Sequence, residues 1–284
     1  MFRSPLDLNL FLLPQKNPFL NLFNQVPPHA PLVLVVSGPS GVGKDAAIRA
    51  LHAARPGIRF VVTATSRERR PGEIDGVDYT FVSKQRFEEM ISNDELLEHA
   101  VVYGEYKGIP KRAVEAALEA AREDVEERDR LLKRRAEEAA EAEVGEKDEE
   151  GGSPPSAPSA AAAVPAPSDP SSPPPPPGAG AGVVVLRLDV QGAATVRSLL
   201  PPSSCVSVFL VAESEAALAA RLSARGTETP QALATRVATA RSEAARASEF
   251  DFVVVNAEDD VDGTVEALGA IVDAERCRSS RRVF

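Results

Sequence analysis

Leu32-Val33-Leu34-Val35-Val36-Ser37-Gly38-Pro39-Ser40-Gly41-Val42-Gly43-Lys44-Asp45 is the stretch that decides the fold. Five consecutive apolar residues running into glycines read as a strand buried on both faces. A helix is expected from Lys44 to about His52. Between them, Gly38 to Lys44 matches the glycine-rich phosphate loop in its required setting of strand, loop and helix. Glycines let backbone N–H groups converge on phosphate oxygens, and the helix N-terminus adds partial positive charge. Gly38, Pro39, Ser40, Gly41, Val42 and Gly43 are therefore candidates to wrap a nucleotide's phosphates, with Lys44 reaching the β- and γ-phosphates. Asp45 stands where this motif has Ser or Thr, whose hydroxyl goes to Mg²⁺. A carboxylate there is a candidate metal ligand, direct or through water, and it brings negative charge close to the phosphates.

Outward from this point, further strands are expected at Arg59–Ala64, Val183–Leu188, Val206–Val211 and Phe252–Val255. Helices are expected at Lys84–Ser92, Lys111–Arg122, Ala193–Leu200, Ser214–Ala224, Pro230–Ser248 and Asp260–Glu275. Strands alternating with helices indicate an α/β fold with a mainly parallel sheet. Two stretches of the 284 residues do not fit it. Residues 1–31 are apolar in patches and cut by Pro5, Pro14, Pro18, Pro27 and Pro28, which suggests a targeting or disordered leader. Residues 126–182 open with a charged helical stretch, pass into a Ser/Ala/Pro tract and carry −6 of the net charge of −10. They read as a low-complexity insertion with disorder as the default. Joining Val125 to Val183 gives a continuous apolar run, expected to be one uninterrupted strand. Two cysteines suit a reducing compartment. No apolar run is long enough to span a bilayer, so no membrane is expected. The acidic balance argues against nucleic acid as a partner.

A second anion site is written in Thr63-Ala-Thr-Ser-Arg67-Glu-Arg69-Arg70-Pro71-Gly72-Glu73. Guanidinium groups pair with phosphate in a forked geometry. Asp75-Gly76 suggests a tight turn that brings Tyr79 back to those arginines. The bland reading of the segment alone is a solvated charged turn.

Together these residues resemble guanylate kinase, over nearly everything outside 1–31 and 126–182. The resemblance implies a P-loop nucleoside monophosphate kinase with a parallel-sheet core, a small GMP-binding arm (about 60–112) and a helical lid (about 213–245), all within 32–284. Arg67, Arg70, Gly72 and Glu73 fall on the family's GMP-phosphate motif, Tyr79 on its phosphate-contacting tyrosine and Thr63 on a position that is usually serine. Glu98 falls on the guanine-reading glutamate, whose carboxylate accepts from N1–H and the 2-amino group. Asp189-Val190-Gln191-Gly192 matches Asp-x-Gln-Gly, whose aspartate helps to read guanine. Arg221, Arg225 and Arg236 resemble lid arginines that close over ATP, and Asn256 falls where the family contacts the ATP base. Three further departures are Arg187, where many members carry an acid, Lys107 for a phosphate-contacting tyrosine and Ile109 for a hydroxyl. The run from Tyr103 to Lys111, with Gly43-Lys44-Asp45, resembles the plant organellar branch, which implies a chloroplast or mitochondrial address.

The implied reaction transfers the γ-phosphoryl of ATP, with Mg²⁺, to GMP or dGMP, giving ADP and GDP. Lys44, Arg225 and Arg236 would be catalytic. Lys44 and the loop would hold ATP, with Asp45, Arg221 and Asn256. Thr63, Arg67, Arg70, Tyr79, Glu98, Lys107 and Asp189 would hold GMP. Such an enzyme is expected as a monomer or weak dimer. The alternative is a catalytically silent guanylate-kinase-like domain that binds a protein partner. Such domains typically lose the loop lysine or glycines and the lid arginines, which are present here.

Overall fold

Alternation along strand β1 (Leu32–Ser37) builds two cores at once. Leu32, Leu34 and Val36 enter one hydrophobic layer and Val33 and Val35 the other, all of them buried. The computed structural model describes residues 30–102, 104–145, 180–224 and 230–278. The first 29 residues, residues 146–179 of the expected insertion, and Tyr103 and Arg225 lie outside them.

β1 is the centre of a five-stranded sheet with β2 (Ile58–Val61), β7 (Val183–Arg187), β8 (Cys205–Val211) and β9 (Phe252–Val255), in the order β2-β7-β1-β8-β9. Every pairing in it is parallel, with Val35 opposite Leu186 on one side and Ser207 on the other. A parallel sheet of this kind needs helices over both faces. Helices α1 (Lys44–Ala54) and α7 (Val261–Cys277) cover one through Ala47, Ile48, Leu51, Leu268 and Val272. Helices α3 (Lys111–Gly145) and α4 (Val190–Leu199) cover the other through Val114, Ala121, Ala193 and Val196. Each fully buried aliphatic side chain stabilises the sandwich by about 1.5–3 kcal/mol.

The chain leaves this sheet to build a second, smaller one. It holds β3 (Ala64–Thr65), β4 (Thr80–Phe81), β5 (Leu96–Val102) and β6 (Glu105–Pro110), in the order β4-β3-β6-β5. Helix α2 (Lys84–Ser92) covers it and begins at Ser83, whose hydroxyl accepts from the Arg86 N–H at 3.1 Å. Phe87, Met90, Leu96 and Ala64 form the arm's own core. The strand expected at Arg59–Ala64 is thus two: β2 stays in the large sheet and β3 begins the arm, with Thr63 between them. Helices α5 (Glu215–Ala224) and α6 (Pro230–Ala244) follow β8, tied by an ion pair between Glu215 and Arg241.

The spliced strand through Val125 is not what forms. Glu123, Asp124 and Val125 belong to α3, a helix of 35 residues and about 50 Å that continues into the expected insertion. Val125 is buried in that helix, against the turn that leads into β7. Gly182 makes this turn with φ +79°, and any Cβ there would collide with the Val125 side chain.

Candidate active site

The phosphate loop takes its shape from three glycines at φ +141°, +89° and +93°, namely Gly38, Gly41 and Gly43. A side chain at Gly38 would strike the Leu210 backbone, so the loop lies tight on β8. Gly43 also precedes α1 in the left-handed conformation and supplies no side-chain cap. The first-turn N–H groups of α1 therefore point out of the helix without a side chain to receive them, the arrangement that suits a phosphate. Lys44 Nζ folds back on the loop, donating to Gly38 O at 2.5 Å and Pro39 O at 3.0 Å. Burial, with help from Lys107, pulls its ammonium down to about 8.

Asn256 holds this loop from below. Its Nδ2 donates to Val42 O at 2.6 Å, and its Oδ1 accepts from Thr264 at 2.8 Å. The side chain is buried, so its contact is with the loop backbone. Arg221, on α5, donates to Asn256 O at 2.9 Å and to Glu213 at 2.8 Å. Arg236, on α6, reaches Ser40 Oγ at 3.4 Å.

The arm turn carries the arginines of the expected second anion site. Gly76 takes φ +77° and returns its N–H to Tyr79 O at 2.8 Å, which closes the turn expected at Asp75-Gly76. Arg67 is gripped by Glu73 through both nitrogens, at 3.0 and 2.8 Å, and lies 5.2 Å from the centre of the Tyr79 ring. Glu73 Oε2 also accepts from the Arg70 N–H at 2.8 Å. Glu73 therefore holds the Arg67 side chain and the Arg70 backbone. Burial raises the Tyr79 hydroxyl, against the pull of Arg187 and Arg67. Thr63 is buried at the root of the arm and donates to Arg187 O at 3.4 Å.

Between arm and core lie Glu98, Lys107 and Asp189. Glu98 is 7% exposed, and its carboxylate rests on Gly192, where a Cβ would stand only 2.6 Å from Oε2. The glycine of Asp-Val-Gln-Gly is thus required for the approach of Glu98. Burial first, and then the charge of Asp189, push the Glu98 carboxyl up to about 8. Asp189 caps α4, accepting from the Gly192 N–H at 2.8 Å. Lys107 projects from β6 beside them; burial lowers its ammonium and Asp189 opposes that. Ile109, two residues further along the same face of β6, is fully buried in the α3–α4 core.

The donor loop, the arm turn and Glu98 lie close together at the ends of parallel strands, where α/β sheets bind ligands: Lys107 acts on both Lys44 and Glu98, and Arg187 on both Asp45 and Tyr79. A family model described as Guanylate kinase matches residues 31–133 and 179–275. The chain belongs to the guanylate kinase family. Over 256 residues it is 43% identical to Guanylate kinase 2, chloroplastic/mitochondrial, of Oryza sativa subsp. japonica, covering 90% of this chain and 68% of the relative. It is 36% identical to a guanylate kinase of Symbiobacterium thermophilum over 250 residues, 88% of either chain. Its fold is that of the Anaplasma phagocytophilum guanylate kinase crystal structure, with TM-score 0.57 at 21% identity over 91% of this chain and 92% of that one.

Beside the phosphate loop of this guanylate kinase lies one residue that motif reading passes over. Glu243 stands seven residues after Arg236 on α6, two turns along the same face. Its carboxylate accepts from the Ser40 backbone N–H, while its Oε2 is buried without a hydrogen-bond partner. Burial raises this carboxyl, with Lys44 opposing. Helical spacing from Arg236 was the available signal. Among the described residues no three His, Cys, Asp or Glu side chains gather as a metal cluster, and no helix is long and apolar enough to cross a membrane.

Proposed function

We propose the following division of labour for this enzyme, a nucleoside monophosphate kinase that transfers the γ-phosphoryl of ATP to GMP and releases ADP and GDP. The observation that carries it is that the phosphate loop and the arginines of the arm turn lie together beside the buried Glu98. Phosphoryl transfer of this kind depends mainly on in-line positioning and stabilisation of charge on the equatorial oxygens.

The backbone from Gly38 to Gly43 and the Lys44 ammonium hold the donor phosphates, and Asn256 supports them by fixing Val42. Arg221 and Arg236 bring the lid helices onto the loop. Arg225, from the same lid, joins the transferring phosphoryl. Arg67, Arg70, Tyr79 and Lys107 hold the acceptor phosphate. Glu98, with Asp189 beside it, reads guanine N1–H and the 2-amino group, and dGMP presents the same groups. The acceptor is already an oxyanion, so no general base is required.

Mg²⁺ accompanies ATP in this reading. It takes oxygen ligands, keeps most of its waters and needs only one or two protein carboxylates. Asp45 fits that role: it opens α1 beside Lys44, and its side chain remains 42% exposed although Oδ1 is engaged by Arg187. Bound there, Mg²⁺ would supply neutralising charge across the β- and γ-phosphates. The similarity to the rice chloroplastic/mitochondrial relative supports an organellar address, with 1–31 as the leader.

The test is ADP production by the purified chain with ATP and Mg²⁺, offering GMP, AMP and UMP in turn. Turnover confined to GMP is expected, with Lys44→Ala removing most of it. A folded chain that binds GMP and turns over no acceptor would instead mark a silent binding domain.

A further inference from the structure

Arg187 ends β7 as a buried guanidinium, only 6% exposed. A buried charge is tolerated only when it is paired and hydrogen-bonded, and its partners come from two parts of the enzyme. Nη1 pairs with Asp45 Oδ1 in the first turn of α1, on the donor side. Nη2 donates to Asp78 O at 2.6 Å, in the arm turn on the acceptor side. Its Cζ lies 3.9 Å from the centre of the Tyr79 ring and 5.3 Å from that of Phe60. Cations in this position are attracted to the ring face. Arg49, one turn beyond Asp45 on α1, makes a second tie by donating to Asp78 Oδ1 at 2.9 Å.

Two departures from the family pattern are therefore one contact. Asp45 adds a negative charge beside the phosphates, and Arg187 cancels it. Burial alone would raise the Asp45 carboxyl, but the Arg187 guanidinium outweighs this and holds it below its ordinary value. The same guanidinium fixes the backbone before Tyr79 and the ring of Tyr79 itself.

We infer that Arg187 is a positioning residue that couples the donor loop to the acceptor site, so that affinity for GMP depends on Asp45 although Asp45 lies on the ATP side. The inference rests on the acceptor-site reading given above. A guanidinium can hold Asp45, Asp78 O and the Tyr79 face together because its donors form a planar fork; an ammonium cannot. By linkage, any change at Asp45 that alters its hold on Arg187 must appear in GMP binding.

The experiment is calorimetric titration of GMP into the full chain without ATP or Mg²⁺, for the parent, Asp45→Asn, Arg187→Lys, Arg187→Met and Asp45→Asn/Arg187→Met, with thermal unfolding of each. Expected are losses of roughly 3–10-fold for Asp45→Asn and 10-fold or more for Arg187→Met, as weakening of one shared path. The double variant should bind within about twofold of Arg187→Met, since that path is already cut. Parental affinity in Asp45→Asn, or a double loss equal to the product of the single losses, overturns the coupling. Should Arg187→Met unfold, Asp45→Asn and Arg187→Lys decide it: both must weaken GMP, and parental affinity in either overturns the inference. A parent that takes up no GMP overturns the acceptor-site reading itself, and the coupling with it.

Discussion

Asn256 donates its side-chain amide to the carbonyl of Val42 at 2.6 Å, joining the end of β9 to the middle of the phosphate loop. The pair is buried, so the loop's curvature is held by a hydrogen bond shielded from water as well as by its glycines. Asn256→Ala should cost about 1–3 kcal/mol of stability, the range for leaving buried polar groups unpartnered. It should also raise the KM for ATP several-fold and leave GMP binding near the parental value. Steady-state kinetics with each substrate varied, beside chemical denaturation, checks both halves. A stability loss with an unchanged ATP KM would show the contact to be scaffolding alone.

Glu98 should give GMP binding a pH dependence of its own. Its carboxyl is raised from the ordinary glutamate range to about 8, so the folded protein holds a proton that the unfolded chain has released. The corresponding stability is fully present below the ordinary glutamate value of 4.5 and is lost as pH rises through about 8. Glu98→Gln removes this titration, so its melting temperature should gain on the parent's between pH 5 and 8. The carboxylate that accepts from guanine forms over the same range. The ratio of parental to Glu98→Gln affinity for GMP should therefore increase from pH 6 to 8, with the phosphate's own titration cancelling in the ratio. A flat ratio would remove Glu98 from guanine recognition.

Gly192 offers a test in which two effects have opposite signs. Alanine in a helix interior normally stabilises by about 0.5–1 kcal/mol over glycine. Here the new methyl would meet Glu98 Oε2 at 2.6 Å and Cδ at 2.9 Å. Gly192→Ala should raise the GMP KM at least several-fold while the ATP KM stays near parental. If both constants are parental, the Glu98 carboxylate does not work from its position over α4.

The insertion divides at residues that can be named. Gly182 O accepts from Leu32 N at 2.8 Å, and Ala181 is buried, so the segment just before β7 is part of the core. Replacing 134–178, the gap in the family match, by a flexible linker of about six residues should preserve folding and turnover. Six residues reach up to about 20 Å. Removing 126–182 whole should instead lower the melting temperature, because it takes the β1 contact with it. Equal melting of the two deletions would contradict this division.

What the sequence shows and what it hides can be seen at particular residues. β1 and the loop are legible because their signal is local: an apolar run, glycines and a lysine within fourteen positions. Tyr79 near Arg67 is legible because Asp75-Gly76 turns the chain between them. The pairing of Arg187 with Asp45 spans 142 residues and belongs to no periodic pattern, so each reads as an isolated departure. β6 is hidden for a different reason. Glu105-Tyr-Lys-Gly-Ile-Pro110 has no alternation, and its strand character comes from pairing with β5 and β3. Val125 misleads because its neighbours in the spliced text are valines, whereas its real neighbours are one helical turn away.

The arm meets the core at two places with almost no slack. Only Val62 and Thr63 separate β2 from β3, and Pro110, the last residue of β6, runs directly into Lys111 of α3. Two such short attachments act as the pins of a door. They oppose sliding of the arm against the core, and a swing about the line joining them must break the contacts of Arg187 and Arg49 with Asp78. Since α3 packs on the large sheet through Val114, Ala121 and Val125 and pairs Asp124 with Arg59 of β2, it anchors its pin to the core and does not travel with the arm.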